Sequence, residues 1–292
     1  MAPVQHVVSR PYPPFASAGG RLEVHQLPAA QDNLEWLVVH PTTREAAVVD
    51  GPDADAVLAY CAAHELRLTT VFNTHTHGDH VGINRDLARR GLLAALRVVG
   101  PARAAGDVPG LTEPVDDGDR ITFAGVVGQV LLTEGHIDGH VSYVFDDLLF
   151  CGDTLFAGGC GYLFDGPPAK MHRSLERLAT LPAATRVCCA HEYTLDNLRF
   201  AWSVEPDNAA LVDRIRAVRV IRAAGGSAVP STIAAERATN PFLRHASPTL
   251  CAAVAAAFPE RALDTPEQIF AATRALKDRK DYKRIPDSAL PG

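Results

Sequence analysis

Thr74-His75-Thr76-His77-Gly78-Asp79-His80 is the stretch on which the fold turns. His75, His77, Asp79 and His80 fall within six residues, directly after Arg67 to Asn73, which reads as a buried strand. A lone His-x-His is usually a pair of polar loop residues. Three imidazoles and a carboxylate on one short loop cannot all be satisfied inside a core. Imidazole and carboxylate together suit zinc, iron or manganese.

Working outward, the same placement recurs. Gly135-His136 follows an apolar run ending at Leu132, Asp153 follows Phe150-Cys151-Gly152, and His191 follows Cys188-Cys189-Ala190. An Asp after a strand is more often a turn or cap residue, and a His there is often only hydrogen-bonded. With the first cluster, however, they make five His and two Asp, a suitable inventory for two metals bridged by a carboxylate.

The flanking pattern predicts strands over Leu22–Leu27, Leu34–His40, Ala46–Asp50, Leu96–Val99, Asp119–Phe123, Val126–Leu132, Val141–Phe145, Leu148–Cys151 and Arg186–Ala190. Asp53 reads as the N-cap of a helix running to His64. Many strands with interspersed helices imply an α/β sandwich covered by helices. From Thr194 onward the pattern is almost wholly helical: Asp196–Val204, Asn208–Ala224, Ser231–Ala238 and Thr265–Lys277, with Cys251–Phe258 as a helix or helix end. The expected organisation is an irregular extension over residues 1–20, a catalytic domain over 21–192 and a helical substrate-binding domain over 193–292.

The bulk composition excludes several classes. The 292 residues carry a net charge of −6 and are 47% hydrophobic, which gives material for a core and no basis for nucleic-acid binding. No apolar run approaches the ~18 residues of a membrane span. Met1 to Gly20 holds four prolines and no apolar signal-peptide core. The six cysteines form no CxxC pair, which fits reduced thiols and a cytoplasmic protein.

His75-Thr76-His77-Gly78-Asp79-His80, followed by His136, Asp153 and His191, resembles the ligand set of the metallo-β-lactamase fold superfamily. Within it the chain resembles glyoxalase II, the hydroxyacylglutathione hydrolases. Leu27-Pro28-Ala29 with Asp32-Asn33 is similar to that family's opening. Cys151-Gly152-Asp153-Thr154-Leu155-Phe156, Gly159-Cys160-Gly161 and Phe164-Asp165-Gly166 are similar to its central block. Ala190-His191-Glu192-Tyr193-Thr194, Asn197-Leu198 and Val204-Glu205-Pro206 match the junction, and Arg274-Ala275-Leu276-Lys277-Asp278 the basic C-terminal motif.

The resemblance implies an αββα metallo-β-lactamase sandwich with a smaller all-helical C-terminal domain. It implies two divalent metal ions, zinc or else iron or manganese. His75, His77 and His136 would hold one, Asp79, His80 and His191 the other, and Asp153 would bridge them. It further implies that a hydroxide held between them, oriented by Asp79, attacks the carbonyl of an S-(2-hydroxyacyl)glutathione thioester such as S-D-lactoylglutathione. The thiolate leaving group, with a pKa near ~8.5, needs little help from an acid. Tyr193, Asn197, Arg274 and Lys277 would bind the glutathione moiety; on residue type alone, Arg274 and Lys277 read as a solvated helix face. A monomer or weak homo-oligomer is expected, with no membrane or nucleic-acid partner.

Two positions depart from the family pattern. Tyr162 stands where the family usually has Arg or Lys, so a neutral phenol replaces a charged contact to a substrate carboxylate. Glu134 stands before Gly135-His136 where Pro is common, and His140 in the same loop reads as structural. The rival enzyme of this fold is a single-iron glutathione persulfide dioxygenase, echoed by Asn73-Thr74-His75; another thioesterase or a lactonase shares the ligands. A binding module on a degenerate metal fold is the rival from a different class, and the intact ligand positions oppose it.

Overall fold

A computed structural model describes residues 6–292. The part of the expected N-terminal extension before His6 lies outside the described residues. In chain order the first half comprises β1 (Phe15–Ala16), β2 (Glu23–Ala29), β3 (Asn33–Val39), β4 (Glu45–Val49), α1 (Asp55–Ala63), β5 (Arg67–Phe72), α2 (Gly78–Arg89), β6 (Arg97–Pro101) and β7 (Glu113–Val115). There follow β8 (Arg120–Phe123), β9 (Val126–Leu132), β10 (Val141–Phe145), β11 (Leu148–Gly152), β12 (Leu155–Phe156), β13 (Gly159–Cys160), α3 (Pro168–Ala179) and β14 (Arg186–Cys189). The C-terminal part holds α4 (Thr194–Val204), α5 (Ala209–Ala223), β15 (Ser231–Thr232), α6 (Ile233–Thr239), α7 (Pro248–Ala257) and α8 (Pro266–Asp278).

Strands β1 to β7 form one seven-stranded sheet in sequence order; β15-β14-β11-β10-β9-β8 form a second of six strands. Side-chain alternation along β3 explains why the sheets stack. Trp36 and Val38 join a core shared with Tyr143, Phe145 and Phe150 of the second sheet. Leu37 and Val39 point the other way, onto Val57 of α1 and Ile83 and Leu87 of α2. Buried on both faces, β3 is apolar without interruption only from Trp36 to Val39, and Glu35 breaks the run. On the far side, α3 puts Met171, Leu175 and Leu178 into the core of the second sheet. The result is the expected αββα sandwich with a helical C-terminal region.

The details differ from the sequence expectations at several places. The histidine stretch is not all loop: His77 is the N-cap of α2, and Gly78, Asp79 and His80 form its first turn. Asp53 does not occupy the cap of α1; Ala54 does, and the Asp53 carboxylate accepts from the amide of Asp55 in a local turn. The helical region contains β15, which pairs with β14 and ties the C-terminal part to the second sheet. Residues 6–20 are irregular except for β1, which pairs with β2, while Val8 enters the core.

Candidate active site

Strand ends deliver the chemistry. β5 stops at Phe72, and Asn73 then locks the turn: its amide donates to the His80 carbonyl at 3.2 Å and to Asn84 at 3.1 Å, while its own carbonyl accepts from Tyr143 at 2.7 Å. His136 follows β9, Asp153 follows β11 and His191 follows β14. Two glycines are forced here. Gly152 sits at φ +46°, where a Cβ would lie 2.3 Å from Thr74 Oγ1; a Cβ on Gly161 would lie 2.0 Å from the Asp153 carbonyl oxygen.

The seven side chains converge as two groups. His75, His77, His136 and Asp153 offer ligand atoms that lie within 4.8 Å of one another, and so do Asp79, His80 and His191. His77 Nδ1 is 3.1 Å from His75 Nε2 and 2.9 Å from His136 Nε2. Asp153 faces both groups: Oδ2 is 3.4 Å from His136 Nε2, while Oδ1 is 3.5 Å from His80 Nε2 and 3.4 Å from His191 Nε2. His191 Nε2 also lies 3.4 Å from Asp79 Oδ2.

An outer ring of acceptors fixes which nitrogen faces inward. His80 Nδ1 donates to Asp50 Oδ2 at 3.0 Å and His191 Nδ1 to Asp32 Oδ1 at 3.0 Å. His136 Nδ1 donates to the Tyr162 carbonyl at 2.7 Å. Thr74 Oγ1 donates to Asp50 and accepts from His75 Nδ1 at 3.0 Å. Each of these four rings therefore turns its Nε2 inward, the arrangement that outer hydrogen bonds impose on metal-binding histidines. Asn33 holds Asp79 Oδ2 at 3.1 Å.

The electrostatics ask for cations. Burial would lower the His191 ring, but Asp153, Asp32 and Asp79 raise it to about 10. Burial would raise the Asp79 carboxyl, yet the His191 hydrogen bond, His80 and Asn33 bring it well below the usual range. Burial and four neighbouring rings push His75 far down. His80 Nε2 and Asp153 Oδ1 are buried and have no hydrogen-bond partner among the described residues. Buried orphan acceptors are costly unless something completes them. The donor set fits a pair of divalent metal ions.

The comparisons with known proteins agree with this geometry. The metallo-beta-lactamase superfamily model matches residues 36–191, and the hydroxyacylglutathione hydrolase C-terminus model matches residues 192–280. A hydroxyacylglutathione hydrolase of Gloeobacter violaceus is 48% identical, over 88% of this chain and 99% of its own length. The chain belongs to the hydroxyacylglutathione hydrolase family. Among solved structures, ETHE1 from Myxococcus xanthus aligns at a TM-score of 0.61 and 25% identity, covering 92% of this chain and 94% of that one. TTHA1623, in a di-iron-bound form, aligns at a TM-score of 0.50 and 26% identity, covering 75% and 98%.

The residues expected to contact the glutathione moiety in a hydroxyacylglutathione hydrolase divide by location. Tyr193 stacks on His191, with ring centroids 4.9 Å apart and planes within 1°, and burial followed by the nearby Asp32 charge raises its phenol. Asn197, Arg274 and Lys277 cluster on the other side of the β12–β13 hairpin. Asn197 donates to the Ala157 carbonyl at 3.1 Å and accepts from Lys277 Nζ. Arg274 pairs with Asp278 and reaches the Cys160 carbonyl at 3.4 Å. Arg274 and Lys277 are both only 7% exposed, so they are not the solvated helix face that residue type alone suggests. Burial, then the adjacent Arg274, push the Lys277 ammonium down to about 7.

Tyr162 is exposed and packs edge-on against Phe164, which stands edge-on to both His77 and His136 at 5.2 Å. Phe164 thus forms an aromatic wall at the site that the sequence reading did not assign. Asp32, Asp50, Thr74 and Asn33 were missed as partners of the ligand-type residues. His140 is structural, as expected: its Nε2 accepts from the Asp153 amide at 3.2 Å and its ring stacks on His75. Glu134, in place of the usual Pro, caps the loop by accepting from the Gly139 amide at 2.9 Å.

Proposed function

We propose that the chain hydrolyses S-(2-hydroxyacyl)glutathione thioesters, S-D-lactoylglutathione among them, at a binuclear metal centre. The observation that carries the centre is Asp153, whose two oxygens face two separate groups of ring nitrogens. His75, His77 and His136 would hold one divalent ion, Asp79, His80 and His191 the second, and Asp153 both. Zinc is the first choice, with iron or manganese compatible with the same donors. When bound, the ions supply Lewis-acid polarisation of the carbonyl and an acidified water.

The chain's own groups do the rest. The Asp79 carboxylate, 43% exposed in its side chain and held by Asn33, accepts a hydrogen bond from the attacking water and orients it. Tyr193, Asn197, Arg274 and Lys277 would bind the glutathione moiety, the two cations meeting its carboxylates. Tyr162, beside Phe164, would offer the substrate one neutral hydrogen bond. Residues 21–192 act as the catalytic part and 193–292 as the substrate-binding part. The six cysteines are free thiols, which favours a reducing compartment such as the cytoplasm, and we take the active species to be a monomer or weak homo-oligomer.

The persulfide dioxygenase alternative is less supported, because residues 192–280 match the hydroxyacylglutathione hydrolase C-terminus. The test is loss of thioester absorbance for S-D-lactoylglutathione against other acyl-thiols, with metal analysis of the same sample. Hydrolysis abolished by chelation is expected. A sample carrying two metals per chain that leaves the thioester intact overturns the proposal.

A further inference from the structure

Outside the active site, a second set of metal-type donors lies where α3 meets the C-terminal helices. His172 and Glu176 stand one turn apart on α3, and His245 comes from the turn that precedes α7. Their ligand atoms all lie within 4.8 Å of one another. His245 Nδ1 is 3.7 Å from Glu176 Oε1, and the two imidazole rings are 5.6 Å apart.

Three features set this group apart from a chance surface cluster. His172 Nε2 and His245 Nδ1 are shielded from solvent, and neither has a hydrogen-bond partner among the described residues. Native proteins rarely leave two such nitrogens unmet side by side. The donors are also held in place: Cys251 Sγ donates to the His245 carbonyl at 3.2 Å, and the His172 ring packs against Phe270 of α8. Finally, burial outweighs the pull of Glu176 and Glu267 and lowers the His172 pKa, so its lone pair is available at neutral pH.

We propose that His172, Glu176 and His245 form a third metal site, taking a zinc-class divalent ion with two nitrogens, one carboxylate oxygen and water. Two imidazoles and a carboxylate are a common zinc donor set. The ion would be structural, not catalytic. It would clamp α3 to the chain segment between α6 and α7. That matters because α3 supports the His136 loop: Ser174 Oγ donates to the Glu134 carbonyl at 2.6 Å, and Met171 closes over Gly135. The same ion would thus couple the stability of the ligand loop to that of the helical part.

The experiment titrates Zn2+ into the purified holoenzyme, following heat of binding, metal per chain and Tm. The parent chain should take up one equivalent more than His172→Gln or His245→Gln, with a zinc-dependent rise in Tm that both variants lose. Glu176→Gln should weaken that uptake. Thioester hydrolysis at saturating substrate should be unchanged in all three, because none of these residues touches the active site. Each variant's metal-free Tm, compared with the parent's, controls for misfolding. Equal zinc uptake by parent and His245→Gln overturns the site, as does the absence of any equivalent beyond those of the active site.

Discussion

At the residue scale, Tyr162 is where this chain's substrate recognition is most open to change. Its side chain is 54% exposed, so a charge there would meet a substrate carboxylate in a largely aqueous setting. Exposed ion pairs are worth up to ~1 kcal/mol, or about two- to fivefold in affinity. Tyr162→Arg is expected to lower KM for S-D-lactoylglutathione by that factor with kcat little changed; an unaltered KM sinks the idea that Tyr162 weakens binding. Lys277 carries a pH prediction. Its ammonium titrates at about 7 in the free protein, so it is charged below that pH and increasingly neutral above it. KM should therefore climb between about pH 6 and about pH 9, and Lys277→Arg, which stays charged, should flatten that profile. A parallel rise in both proteins would detach the effect from Lys277. The seven ligand-type residues were legible because rare residue types recur just after apolar runs. Asp32 and Asp50 were not, since an aspartate near a turn is ordinary and its partner lies far along the chain: 159 residues from Asp32 to His191.

At the scale of elements, legibility followed how much of each signal is local. β9 and β10 match the predicted spans because apolar residues and turn residues punctuate them cleanly. α2 was hidden because its first turn is made of Gly78, Asp79 and His80, and His77 caps it without a side-chain hydrogen bond. The usual start signals were therefore absent. α3 carries a helical signal in Met171, Leu175 and Leu178, and Pro167 as N-cap with Pro168 as its first residue opens it. The short hairpin of β12 and β13 could not be foreseen from propensity. Gly161 follows it and touches both Asp153 and His136, so Gly161→Ala tests the element as a unit. A Cβ there would lie 2.0 Å from backbone oxygen, which cannot yield cheaply. We expect the variant to fold with a lowered Tm and to lose metal from the centre, measured by metal content per chain; full metal retention would show the hairpin to be more compliant than its packing implies.

At the scale of the whole molecule, the sandwich contains one conflict between pattern and burial that bears on its stability. β3 runs Asn33, Leu34, Glu35, Trp36, Leu37, and alternation places Glu35 on the helix-covered face with Leu37. Both Glu35 oxygens are buried next to Gly51, without a hydrogen-bond partner among the described residues. Burial, with Asp53 and Asp55 adding to it, raises this carboxyl well above the ordinary glutamate range. The sign of the consequence follows from proton uptake. Below the unfolded pKa both states are protonated and nothing is lost. As pH rises past it, the unfolded chain ionises while the folded one holds its proton, so folding stability falls with pH until the folded pKa is reached. Replacing Glu35 by an unbranched apolar side chain of similar size removes both the orphaned oxygens and this slope. Leaving such a group unmet costs ~1–3 kcal/mol, and in a chain of this size each kcal/mol moves Tm by roughly 2–4 °C. Glu35→Met should therefore raise Tm, and by more at pH 8 than at pH 5. A gain that is equal at both pH values would mean that Glu35 is ionised in the folded protein, with a partner that its surroundings here do not supply.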